Sequence, residues 1–173
     1  SAREELIAAV DAVLRHGRLV MGPEVEELER AVAARCGRKY AVGVGSGTDA
    51  LFVGLKSLGI GPGDEVITTS LSWIATANAI RLTGATPVFA DVQEDLNIDP
   101  SSVEKLIGPH TRAIVPVHYT GKVCQMSALM ELAEQHGLLV VEDASQAFDA
   151  RYRGRKAGSF GAVGCFSMNP MKV

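Results

Sequence analysis

The sequence predicts an α/β fold in three layers, a mainly parallel sheet between two layers of helices. Three observations carry the prediction. Short strand-like runs alternate with helical patterns along most of the chain, the order expected of a parallel sheet. Several of those runs, such as Ala113-Ile114-Val115-Pro116-Val117 and Leu138-Leu139-Val140-Val141, are apolar without alternation, as strands are when helices cover both faces. The segments between them space their apolar residues at the helical period of 3.6.

Strands are predicted at residues 41–45, 65–69, 86–91, 112–117, 138–143 and 162–167. One helix carries Val25, Leu28 and Val32 before Gly37, and another carries Met126, Leu129, Met130 and Ala133 before Gly137. Each of these glycines fits a helix C-cap. Asp99 before Pro100 reads as an N-cap followed by proline at the first helical position, opening a short helix through Ile107. Gly61-Pro62-Gly63-Asp64 is a turn. The first 16 residues form an amphipathic helix with Leu6, Ile7, Val10, Val13 and Leu14, leading through Gly17 into a loop that ends at Pro23. Residues 1–20 are thus an N-terminal helix and lead-in loop, and residues 21–173 one larger layered body, with no linker between them.

Length and composition narrow the function classes. A chain of 173 residues is enough for one domain, or for one domain and part of another, at about 100–200 residues each. Hydrophobic residues make up 47% and charged residues 21%, the balance of a soluble globular protein and not of a disordered or disulfide-dense one. The net charge is −3, and the basic residues Arg151, Arg153, Arg155 and Lys156 are scattered, so nucleic acid is not expected as a partner. Cys36, Cys124 and Cys165 are odd in number and lack CxxC spacing; no metal site is expected, and a reducing cytoplasm fits. The longest uncharged stretches are too short and too polar to span a bilayer, and the first residues lack the pattern of a signal peptide.

Ligands of open α/β sheets gather at the carboxyl ends of the strands. After the first predicted strand, Gly43-Val44-Gly45-Ser46-Gly47-Thr48-Asp49 runs into a helix whose first backbone N–H groups could bind a phosphate. The dinucleotide fingerprint GxGxxG fails at Thr48, and no GK[ST] follows. The same turn could equally be a tight structural turn. Trp73, the one tryptophan, is either a large core side chain or a flat platform at the mouth of the sheet. Glu142 and Asp143 end an apolar strand and must point to opposite faces, so one of them at most faces a given site. Buried there, Asp143 requires a cationic partner. Ser167 and Lys172 leave the last strand five positions apart. In apolar company the Lys172 amine would lose solvation and become a nucleophile for a carbonyl; the alternative is a surface lysine whose stem lies along apolar surface.

A phosphate cradle, an aromatic plate, an acid for a ring nitrogen, a hydroxyl and a lysine, in that order, are the set that pyridoxal phosphate requires. From about Met21 onward the chain also resembles the sugar aminotransferases of the DegT/DnrJ/EryC1/StrS type. The resemblance is carried by Gly45-Ser46-Gly47-Thr48-Asp49-Ala50-Leu51, Gly61-Pro62-Gly63-Asp64-Glu65-Val66-Ile67, Gly84-Ala85-Thr86-Pro87-Val88-Phe89-Ala90-Asp91-Val92, Pro116-Val117-His118-Tyr119-Thr120-Gly121, Glu142-Asp143-Ala144-Ser145-Gln146-Ala147, and Phe166-Ser167 with Lys172. It implies part of the large domain of a pyridoxal-phosphate transferase, without the rest of that domain or the small C-terminal domain.

Carried over by position, the resemblance implies that Gly47, the Thr48 and Asp49 amides and the Ser167 hydroxyl hold the phosphate. It implies that Trp73 stacks on the ring, Asp143 bonds the ring nitrogen, Gln146 sits near the ring hydroxyl, and Lys172 forms the Schiff base and shuttles the proton. The implied reaction moves an amino group, typically from glutamate, to a keto group of a nucleotide-linked sugar, in the making of polysaccharide or antibiotic sugars. Lys172 stands where dehydratase relatives carry histidine. The implied protein is a cytoplasmic homodimer with a shared active site. Met168-Asn169-Pro170-Met171 departs from the residues usual before the lysine, and His118 is expected in a structural or substrate-contact role. Such relatives are roughly twice as long as this chain, as two domains of ordinary size require, so the second half of such a protein is expected to be absent. Two other readings compete: a regulatory or scaffold relative that keeps the fold without turnover, and a nucleotide-dependent oxidoreductase, which the failed glycine fingerprint disfavours.

Overall fold

The structure, a computed structural model, describes residues 1–172. Packing divides them into two units, one of residues Ser1–Gly43 and one from Val44 onward. In the first unit, α1 (Ala2–His16) ends at Gly17 and α2 (Pro23–Cys36) ends at Gly37, both glycines being left-handed C-caps as the spacing predicts. Pro23 stands at the first position of α2, where its missing N–H costs nothing. Leu6, Ile7, Val10 and Leu14 of α1 are exposed.

The second unit begins with α3 (Gly47–Ser57) and continues through β1 (Glu65–Thr69), α4 (Ala75–Thr83), β2 (Thr86–Ala90), α5 (Pro100–Leu106), β3 (Thr111–Val115), α6 (Met126–His136) and β4 (Leu139–Asp143). A two-stranded antiparallel hairpin, β5 (Arg151–Tyr152) with β6 (Arg155–Lys156), precedes the last strand, β7 (Val163–Cys165). The main sheet has the order β2-β1-β3-β4-β7 with every pair parallel. The connection from β1 moves outward to β2 and the next returns past β1 to β3, so the order reverses at β1 and β3. A switch point of this kind opens a crevice at the carboxyl ends of the strands.

The pleat sorts the strand side chains onto two cores. Val66, Ala113, Val115, Val141 and Cys165 face Leu51 and Leu55 of α3 and Ala79 and Ile80 of α4. Ile67, Ile114 and Val140 face Val103 of α5 and Met126, Leu129 and Ala133 of α6. Adjacent residues thus point to opposite helical layers, and this is why the strands read as unbroken apolar runs. The three-layer α/β/α class predicted from sequence is the observed one.

Among the described residues, the strand predicted at 41–45 does not form. Val42 is 77% and Val44 42% exposed, and no neighbouring strand takes up the N–H and C=O groups a ladder would have to satisfy. Local pattern announces a strand, but pairing decides it. Helix α4 and the β5–β6 hairpin were not predicted. The buried face of α4, Thr76, Ala79, Ile80 and Thr83, has helical spacing but places a threonine at each end of the stripe, and the hairpin strands are two residues long.

The last two residues of β4 show the pleat at work. Glu142 is fully buried on the α5/α6 side, where one carboxylate oxygen meets His118 Nε2 at 3.0 Å and the Gly158 amide at 2.8 Å. The other accepts from the amides of Phe160 at 2.7 Å and Gly161 at 2.8 Å. The Cys124 amide donates to His118 Nδ1 at 3.3 Å, so the proton on the ring sits on Nε2 and points at Glu142. His118 is therefore a buried structural group. The loop carrying these amides lies directly on β7: a Cβ on Gly164 would collide with the backbone of Gly158, so Gly164 is required by that approach.

Burial pushes the Glu142 carboxyl up, but the hydrogen bonds from His118, Gly161 and Gly158 outweigh it and hold the group below the ordinary carboxylate value. A carboxyl depressed in the folded state adds stability above its unfolded value and loses it as pH falls through the folded one. The expected outcome is that Glu142→Ala, which leaves three amides and His118 without their acceptor, loses about 3–5 kcal/mol in urea denaturation at neutral pH. Below the ordinary carboxylate range the variant should lose less further stability than the parent. Equal stability of the two proteins at neutral pH would remove the carboxylate from this role.

Candidate active site

Helix α3 begins at the carboxyl edge of the sheet. Ser46 is its N-cap, in extended conformation; its Oγ accepts the Asp49 amide at 3.1 Å and donates to the Asp49 carboxylate at 2.9 Å. The Ser46-Gly47-Thr48-Asp49 pattern is the capping-box signature with aspartate in the acid position, a signal in the sequence that the prediction did not use. It also places Asp49: its amide is spent on the cap, and it does not line the cleft. Among the described residues the amides of Gly47 and Thr48 remain without a partner, as the first amides of a helix do. Gly47 lies so close to the last strand that a Cβ would stand 3.1 Å from Ser167 Cβ, 3.3 Å from Ser145 Oγ and 3.4 Å from the Phe166 carbonyl oxygen. The helix N-terminus and the Ser167 hydroxyl therefore share one small space.

One cleft joins these groups to the ends of β1 and β4. Its lining includes Gly47, Thr48, Ser72, Trp73, Thr76, Asp143, Ser145, Gln146, Ser167 and Lys172, so every sequence-predicted site residue except Asp49 meets there. Asp143 is 4% exposed; Thr76 Oγ1 donates to one oxygen at 2.7 Å and the Ser145 amide to the other at 3.1 Å. No cation is paired with it among the described residues. A nearly buried carboxylate held only by neutral donors, at the wall of an open cleft, fits a cationic guest.

Two expectations change. Trp73 is 71% exposed and lines the cleft, so it is not the core side chain that one of the two readings made it; the strand that precedes it ends at Thr69. Lys172 is exposed at the mouth of the cleft, in a turn closed by its amide to the Asn169 carbonyl at 2.8 Å. Its surroundings are hydroxyl-rich, with Ser72, Thr76, Ser145 and Ser167 on the walls, and are not the apolar company read from its sequence neighbours.

Gln146 completes the set. Its Oε1 accepts the Thr120 amide at 3.0 Å, which turns the Nε2 donors the other way. Thr120 holds that amide in place from a left-handed backbone, φ 50°, a rare conformation for a β-branched residue. Thr76, Ser72 and Ser145 were not foreseen in the site. A sequence pattern shows that hydroxyls follow β1 and β4 but not which of them meet across the sheet.

Among the described residues no three His, Cys, Asp or Glu side chains cluster, and no helix is long and apolar enough to cross a membrane. Cys36, Cys124 and Cys165 are buried, and burial pushes the Cys124 and Cys165 thiols up to about 12.

Gly47→Ala tests the shared space. Overpacking typically costs about 1–3 kcal/mol, so thermal denaturation of the variant is expected to show a loss of about 1 kcal/mol or more, with weaker binding of a phosphate-bearing ligand. Unchanged stability and binding would show that the cradle tolerates a methyl group.

The family model described as DegT/DnrJ/EryC1/StrS aminotransferase family matches residues 1–173. The chain is 52% identical over 171 residues to dTDP-3-amino-3,4,6-trideoxy-alpha-D-glucose transaminase of Streptomyces venezuelae, covering 98% of this chain and 45% of that one. The crystal structure of S. venezuelae DesV in complex with a ketimine intermediate superposes with a TM-score of 0.95 at 52% identity, over 98% of this chain and 46% of that one. NtdA from Bacillus subtilis, with bound cofactor PMP, superposes with a TM-score of 0.90 at 34% identity, over 98% and 38%. The chain spans less than half the length of these relatives. By sequence over its whole length and by the arrangement of its layers, the chain belongs to the DegT/DnrJ/EryC1/StrS aminotransferase family.

Proposed function

We propose that the intact protein is a pyridoxal-phosphate aminotransferase that moves an amino group, from glutamate, to a keto group of a nucleotide-linked sugar. The observation that carries the reading is the meeting of Asp143, buried and without a paired cation among the described residues, with Lys172, Trp73 and the first amides of α3 in one cleft. The relatives' names support the substrate class, and the PMP of NtdA is the aminated counterpart of pyridoxal phosphate. Residues 21–173 are on this reading part of the cofactor-binding large domain. The intact enzyme is proposed to be a cytoplasmic homodimer with a shared site; exposed Trp73, Ile74 and Met171, in or beside the cleft lining, are apolar groups that a partner or the rest of the protein could cover.

When bound, pyridoxal phosphate supplies an aldehyde that condenses with amines and a ring that accepts the electron pair left at carbon. The chain's residues have separate tasks. The Gly47 and Thr48 amides and the Ser167 hydroxyl hold the phosphate, with the α3 dipole adding favourable charge. Trp73 offers an aromatic face that excludes water from one side of the ring. Asp143 accepts a hydrogen bond from the protonated ring nitrogen and keeps that proton in place. Gln146 directs its Nε2 donors toward the ring hydroxyl. Lys172 would hold the cofactor through its Nζ, and the same amine is the group placed to take a proton from the substrate carbon and return it as general base and acid.

Borohydride reduction of the intact, cofactor-loaded protein followed by peptide mass spectrometry is expected to show a pyridoxyl group on Lys172, absent from Lys172→Ala. Glutamate should convert the loaded protein to its amino form, and a keto sugar nucleotide should reverse the change. No adduct on Lys172 would overturn the proposal.

A further inference from the structure

The sequence motifs account for Asp143 but not for what holds it. Thr76, on the first turn of α4, is 2% exposed, and its Oγ1 lies 2.7 Å from Asp143 Oδ2. The same Oγ1 lies 3.0 Å from Ser72 Oγ and 3.5 Å from the Trp73 carbonyl oxygen. A hydroxyl has one proton, and an ionised carboxylate only accepts. The short contact to Asp143 therefore takes the Thr76 proton, the distant Trp73 carbonyl does not, and Ser72 must donate to Thr76. The chain of protons has one direction: Ser72 to Thr76 to Asp143. The Ser145 amide occupies the other carboxylate oxygen, so both oxygens are fixed and the plane of the group is set.

Trp73 sits between the two hydroxyls in sequence, and the Thr76 amide donates to its carbonyl at 3.2 Å. The aromatic wall and the donor to Asp143 thus belong to one turn of backbone, which ties the position of the platform to the position of the carboxylate.

We propose that Thr76, oriented by Ser72, is a positioning residue that fixes the Asp143 carboxylate for the cationic ring nitrogen of the cofactor. The inference rests on the reading that this cleft takes pyridoxal phosphate. A hydrogen bond to a charged group is worth more than one between neutral groups. Valine has the shape of threonine without the hydroxyl, and serine keeps the hydroxyl without the methyl group.

The test compares intact parent protein with Thr76→Val, Thr76→Ser and Ser72→Ala. The readouts are the affinity for pyridoxal phosphate by equilibrium dialysis, the balance of visible and near-ultraviolet absorbance bands of the loaded protein, and the melting temperature without cofactor. Thr76→Val is expected to weaken binding about tenfold or more and to shift the band balance. Thr76→Ser should restore both to within about twofold of the parent. Ser72→Ala, at a half-buried loop position, should move both in the direction of Thr76→Val by a smaller amount, and it supplies the answer if Thr76→Val does not fold. Parent-like affinity and spectrum in Thr76→Val overturn the proposal, as does a Thr76→Ser variant that matches Thr76→Val, or an unaffected Ser72→Ala. A parent protein that binds no pyridoxal phosphate overturns the reading of the cleft and this inference with it, whereas a parent that binds normally confines any failure to Thr76.

Discussion

Two carboxylates end β4 side by side, and the pleat sends them into opposite layers of the molecule. Glu142 enters the α5/α6 side and is enclosed by His118 and three amides; Asp143 enters the α3/α4 side and meets Thr76 and the cleft. A buried charge is tolerated only where hydrogen bonds replace its water. The two residues solve that requirement differently. Glu142 is held by His118 and the amides of Gly158, Phe160 and Gly161, whereas Asp143 has one side on the cleft. The first arrangement makes a structural brace and the second leaves a place for a ligand.

The brace and the site are mechanically continuous. The amides around Glu142 belong to the loop that leads into β7, and β7 delivers Phe166 and Ser167 to the start of α3. The Asp143 backbone is tied in turn to the neighbouring strand: its amide donates to the Pro116 carbonyl and its carbonyl accepts from the His118 amide. Displacing Glu142 would therefore move the end of β4 and the approach of β7 together. A cleft built from loops at one edge of a parallel sheet gains its precision from the strands behind it, since the loops themselves have little core of their own.

Much of the fold was legible because it depends on short-range rules. The apolar runs at β3 and β4, the Gly37 and Gly137 caps, and the Asp99-Pro100 start of α5 all follow from neighbours in sequence. The failures share a cause. Residues 41–45 have the right local pattern, but a strand exists only when another strand accepts its hydrogen bonds. Helix α4 carries two threonines on its buried face, and one of them, Thr76, is buried because it serves Asp143, 67 positions away. Trp73 was ambiguous because a large aromatic ring reads the same whether it fills a core or faces a cleft.

By itself the sequence determined the parallel α/β class, the opposite facing of Glu142 and Asp143, and the order of the chemical groups along the chain, all consequences of backbone periodicity and local turn chemistry. Tertiary structure alone decided that Trp73 is exposed, that the surroundings of Lys172 are rich in hydroxyls, and that Ser72 and Thr76 reach Asp143. Those outcomes depend on which side chains from distant segments meet within hydrogen-bonding distance, and only the packing of α3 and α4 against the sheet brings them there.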